Sequence, residues 1–66
     1  MSAVITVVRQ DGEMFYHSRG KLWSCWSNPN WREQATKFKT MRHAMRVARK
    51  KYTLGGQYRS WQVRTI

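Results

Sequence analysis

Only one stretch of this chain can form a helix of useful length, and that limits the architectures open to it. From Met41 to Tyr52 the sequence reads MRHAMRVARKKY, with Met41, Ala44, Met45, Ala48 and Tyr52 at helix-face spacing. Nearly everything else has strand character. "AVITVVR" (3–9) is rich in β-branched residues, "MFYHSR" (14–19) returns from it, "KLWSCWS" (21–27) is a third strand or a continuation of the second, and "YRSWQVRTI" (58–66) closes the chain with Trp61 and Val63 on one face. Over 36–40, Thr36, Phe38 and Thr40 alternate with Lys37 and Lys39, which predicts a further short strand, and Trp31 to Gln34 can form a helical turn before it. The predicted order is β-β-(β)-β-α-β: one small basic α+β domain over 1–66, an antiparallel sheet of three to four strands with one helix packed on one face. A single helix covers a single face, so the opposite face is expected to stay open.

The turn chemistry agrees with this order. Asp11-Gly12 predicts a tight hairpin in which both central residues take positive φ. Gly20 marks a second turn or bulge, and Pro29, which lacks an amide donor, ends the strand run at "NPN". Thr40 suits the helix N-cap, and Gly55-Gly56 permits a left-handed cap at the other end.

A chain of 66 residues buries only about 60% of its unfolded surface, so stability must come from elsewhere than sheer size. Its one cysteine, Cys25, excludes an intramolecular disulfide and fits a reducing compartment. His17, Cys25 and His43 do not make a spaced metal set, so neither metal nor cofactor is expected. Aromatic bulk is what remains: four Trp, three Tyr and two Phe. The apolar run near the N-terminus is too short for a signal peptide or membrane span, which predicts a cytoplasmic protein.

Charge carries the strongest functional signal. Thirteen Lys and Arg against three acids give a formal net charge of +10, and from Gln34 to Ile66 there are nine basic residues and no acid. Such a field attracts polyanions. Arg42, Arg46, Arg49 and Lys50 fall on one helical stripe beside the apolar one. Cations in the last turn complement the helix dipole, which accounts for Arg49, Lys50 and Lys51 but not for Arg42 in the first turn. No glutamate supplies the usual i,i+4 partner. Four like charges on one face repel each other, a cost that a polyanion reverses. Lys37, Lys39 and Arg64 are expected to assist.

The aromatic residues divide between core and surface. Alternation sends Trp23 and Trp26 to opposite faces of a strand, so at least one should be exposed, where it can stack on a base or anchor a protein interface. One of Phe15 and Tyr16 should face outward for the same reason, and Tyr58 should share a face with Gln62 and Arg64. Catalysis has little support. Cys25 and His17 can meet across strands, but no orienting acid accompanies them, and Cys25 reads as a small buried hydrophobe. No phosphate-binding glycine motif is present, because Gly55-Gly56 follows the helix rather than opening one.

The run Trp31, Ala35, Phe38, Thr40, Ala44, Ala48, followed by Trp61 and Val63, resembles a sheet-to-helix pattern of small phage- or prophage-encoded accessory proteins. The resemblance covers roughly the C-terminal half and implies a hairpin–sheet–helix–strand layout. That group includes inhibitors of host transcription and defence complexes, many of them acidic, from which this chain departs in charge. No site residue carries over. Two functions are therefore expected as alternatives. The first is a non-enzymatic module holding nucleic acid, double-stranded DNA with little sequence preference, through phosphate contacts of the basic helix face. The second is an inhibitor that docks this face on an acidic host protein surface, with an exposed Trp as anchor. A membrane partner is disfavoured, since the apolar helix stripe is alanine-rich and lacks Trp or Leu.

Overall fold

The computed structural model of the chain describes residues 2–65; Ile66, the end of the predicted closing strand, lies outside them. The elements are β1 (Ala3–Arg9), β2 (Met14–Ser18), β3 (Lys21–Ser24), a four-residue helix α1 (Trp31–Gln34), α2 (Met41–Lys51) and β4 (Tyr58–Thr65). The strands form one antiparallel sheet in the order β3-β2-β1-β4. The fold is α+β, as the order of elements predicts. β1 is central, and its unbroken apolar composition suits a strand covered on both faces: Ala3, Val4, Ile5, Thr6 and Val7 are all buried.

That burial corrects the expectation of an open second face. Ala3, Ile5 and Val7 pack under α2 with Phe38, Ala44, Ala48 and Tyr52, joined at the margin by Leu22, Val47, Tyr58, Trp61 and Val63. Val4 points the other way and packs with Tyr16, Trp31 and Ala35. A chain too short for a second long helix uses one tryptophan on a single helical turn instead. Phe15 and Tyr16 are consequently both buried, because each faces a covered side.

The two hairpins exchange their expected turn types. In the first, Gly12 has φ +88° while Asp11 is not left-handed, and Gly12 N–H donates to the Arg9 carbonyl at 2.9 Å. This is a three-residue loop ending in a left-handed glycine, braced by the Asp11 carboxylate, which accepts from Glu13 N–H at 2.9 Å. Two consecutive left-handed residues occur instead at Arg19 (φ +53°) and Gly20 (φ +77°), between the paired Ser18 and Lys21.

Residues 36–40 are not a strand. β1 and β2 pair from Thr6–Tyr16 to Val8–Met14. Beyond that the segment fills the fork between them: Phe38 exchanges both backbone bonds with Ala3 (2.8 and 2.9 Å), and Thr36 N–H donates to the His17 carbonyl at 3.0 Å. The wedge carries the chain from the Trp31 side of the sheet to the α2 side.

β4 holds a second correction. Its register with β1 runs evenly from Ala3–Thr65 to Val8–Ser60 and then shifts, pairing Arg9 with Tyr58 and leaving Arg59 as an inserted residue. One inserted residue reverses which face the preceding side chains occupy. Tyr58 therefore turns to the α2 side, its ring 5.4 Å from that of Tyr52, and no longer shares a face with Gln62 and Arg64.

α2 begins as predicted, with Thr40 Oγ1 accepting from His43 N–H at 3.1 Å. It ends at Tyr52, whose N–H donates to the Ala48 carbonyl at 2.8 Å. Gly55 does take a left-handed φ of +104°, but three residues past that cap, so it shapes the turn into β4 rather than ending the helix.

Candidate nucleic-acid interface

The sequence places five residues on the apolar stripe of α2, and the structure buries three of them. Ala44, Ala48 and Tyr52 are buried, whereas Met41 and Met45 remain 46% and 39% exposed. Two alanines at the centre of the contact let the helix axis approach the sheet closely. The buried stripe then centres on Ala44 and Ala48, with Val47 on one flank, and the methionines are rotated onto the other. Met45 therefore lies among the cations, in a shallow hollow lined by Arg42, Met45, Arg46, Arg49 and Lys50. All five lining residues belong to α2, so the hollow offers charge around an apolar floor rather than an enclosed pocket.

The predicted site residues separate into three groups. Arg42, Arg46, Arg49 and Lys50 come together on the exposed stripe, and among the described residues none of their side chains is tied by a hydrogen bond. Lys39 is exposed near the start of the same helix, beside Met41 and Thr65. The other predicted residues are elsewhere. The Lys37 amine donates to the carbonyls of Arg32 (3.0 Å), Glu33 (2.8 Å) and Ala35 (3.2 Å), closing the C-terminal end of α1. Arg64 pairs across from Val4, which puts it on the Trp31 side of the sheet, where its guanidinium donates to Gln62 Oε1 at 3.0 Å.

Trp23 pairs with Tyr16 and so shares the Trp31 side, 48% exposed, while Trp26 in the β3–α1 connection is 83% exposed. Both are available to solvent, because β3 ends at Ser24 before Trp26 can alternate back into the sheet. Trp23 faces away from α2, so the basic stripe and this indole do not form one surface.

Three further cations are used internally. The Arg9 guanidinium sits 4.1 Å from the Phe15 ring centroid and that of Arg32 4.8 Å from Trp31. Lys51, on the sheet-facing side of α2, extends its amine to the Gly20 carbonyl at 2.9 Å and ties the helix end to the second hairpin. That role is nonlocal and had no sequence signal beyond the Arg19-Gly20 turn itself.

His17 and Cys25 do not meet. His17 lies on the α2 side, buried against Phe38 and Tyr52, with its Nδ1 2.5 Å from the Tyr52 hydroxyl. Burial, reinforced by the nearby Lys51 charge, lowers the His17 pKa, and burial beside Tyr58 raises that of Tyr52 to about 12. Both directions fit a neutral pair in which the Tyr52 hydroxyl donates to an unprotonated Nδ1. Cys25 packs at the edge of the Trp31 cluster, half-buried, and burial raises its thiol pKa.

Among the described residues there is no group of three or more His, Cys, Asp or Glu able to hold a metal ion. No helix among them is long and apolar enough to cross a membrane. Compared with protein-family models, curated proteins and solved structures, the chain matches none.

Proposed function

We propose that this protein is a non-enzymatic nucleic-acid-binding module that grips double-stranded DNA, with little sequence preference, through the outer stripe of α2. The observation that carries the reading is the isolation of Arg42, Arg46, Arg49 and Lys50. They share one exposed helix face, while Lys37, Lys51 and Arg64 are engaged within the protein. Residues 42 to 50 span about 12 Å along a helix. Over that length a duplex carries about seven phosphate charges, twice the density of a single strand. Such contacts position a protein on DNA without reading its bases.

Four phosphate contacts predict a slope of log affinity against log salt of about −3.6, or roughly a hundredfold loss between about 50 and 200 mM. Electrophoretic shift of a duplex across that range measures it, and Arg46→Ala should make the slope shallower by about one. A duplex that fails to shift at low salt, or a shift insensitive to salt, refutes the reading. The alternative, an inhibitor docking on an acidic host protein surface, needs an aromatic anchor beside the basic stripe. The placement of Trp23 on the opposite face gives it less support. Nuclease-resistant capture of a protein partner by α2, lost in Arg42→Ala/Arg46→Ala, would favour it instead.

A further inference from the structure

The Trp31 side of the sheet holds a small polar recess that the α2 reading leaves unused. Its volume is about 270 Å³, and Tyr16, Ser18, Arg19, Trp23, Asn28 and Gln34 line it. That is just below the roughly 300–1,000 Å³ of pockets for drug-sized ligands, the scale of one planar heterocycle with part of a sugar. From this recess we infer a second binding site, independent of α2, for an unpaired nucleotide of a nucleic-acid strand.

The walls are held in place by their own bonds. The Trp23 indole N–H donates to the Ser18 carbonyl at 3.1 Å, which fixes the ring while about half of its surface stays exposed. Asn28 Nδ2 donates to the Tyr16 hydroxyl at 3.3 Å, Asn28 Oδ1 accepts from Asn30 N–H at 3.0 Å, and the Ser18 hydroxyl donates to the Gln34 carbonyl at 2.8 Å. At the rim, the Gln34 amide and the Arg19 guanidinium are exposed and make no side-chain hydrogen bond among the described residues. An anchored indole supplies a stacking surface, the glutamine amide can both donate to and accept from a base edge, and the arginine meets a phosphate.

A base inside a duplex cannot reach an indole, so this site selects unpaired nucleotides. A strand fits better than a free nucleoside polyphosphate. The recess lining offers one cation and no glycine-rich cradle for several adjacent phosphates, whereas a strand brings one phosphate per nucleotide.

The test is fluorescence anisotropy of labelled deoxy and ribo homopolymers of about ten nucleotides, beside a duplex, at about 50 mM salt. Trp23→Ala should weaken strand binding about 5- to 100-fold, leaving duplex binding unchanged. Trp26→Ala, an exposed tryptophan outside the recess, should change neither. Arg19→Asn, which tolerates the left-handed turn, should weaken strand binding several-fold and reports on the site should Trp23→Ala not fold. The deoxy and ribo arms identify the strand. Wild-type strand affinity in folded Trp23→Ala or in Arg19→Asn overturns the inference, as do equal losses for strand and duplex or saturation by adenosine monophosphate with no strand binding. Failure of the duplex shift leaves this result standing, because no α2 residue lines the recess.

Discussion

On one face of the sheet α2 lays Ala44, Ala48 and Tyr52 over Ala3, Ile5 and Val7; on the other, one tryptophan and a four-residue helix cover Val4 and Tyr16. The two covers treat charge differently. A regular helix separates its duties by angle, so one stripe closes the core while the opposite stripe carries cations that owe nothing to the fold. An irregular cover has carbonyls to satisfy and little helix to satisfy them, so its cations are drawn inward: Lys37 onto three carbonyls of the α1 end, Arg32 over Trp31. Cations on the outer stripe of α2 and cations around the short cover therefore differ in availability.

Removing the single aromatic of the irregular cover tests this contrast most severely. Trp31→Ala should cost about 3–5 kcal/mol, because no neighbouring helix can close the gap. At about 4–8 °C per kcal/mol, the melting temperature of a domain this size would fall by at least about 12 °C. Met45→Ala, on the flank of α2, should cost far less. Equal losses for the two would mean that the faces are closed alike.

The His17–Tyr52 pair sharpens the α2 side. Tyr52→Phe leaves the buried Nδ1 without its donor and should destabilise by about 1–3 kcal/mol. The native state holds His17 neutral below its ordinary pKa of 6.5, so the unfolded chain takes up the proton first as pH falls. Stability from this group is complete above pH 6.5 and declines as acid approaches the lowered native value. For Tyr52 the sign is opposite: the unfolded chain ionises near 10 and the native one at about 12, so stability declines as pH rises through that interval. Thermal melts from pH 5 to 8 and from 9 to 12 measure both, and a flat profile from pH 5 to 7.5 would remove His17 from the closed core.

The smallest effect discriminates best between the two kinds of cation. Lys37→Met should cost less than about 1 kcal/mol of stability and leave the salt dependence of duplex binding unchanged, whereas Arg46→Ala should do the reverse. A salt slope altered equally by both would erase the distinction between bound and free charge.

Much of the architecture could be read locally. β1 declared itself through β-branched residues, and α2 through its period and the Thr40 cap, because these depend on neighbours a few positions away. The basic stripe was legible on the same ground. Three of the misplacements share one cause. Phe15 and Tyr16 both find cover because Trp31 folds back across the sheet. Tyr58 changes sides because Arg59 is inserted opposite β1. Phe38 pairs with Ala3 rather than forming a strand. Each depends on a partner far along the chain, to which a local pattern is blind. The recess at Trp23 was partly legible, as an exposed indole, but Arg19 and Gln34 beside it were not.

What the sequence determined by itself was a central apolar strand, one capped amphipathic helix and an acid-free basic half, all properties of composition and short-range spacing. The tertiary structure decided which cations stay free and which side of the sheet each β4 residue faces. Those outcomes turn on single-residue register shifts and on contacts such as Lys51 with the Gly20 carbonyl, 31 positions apart, which only a folded chain brings together.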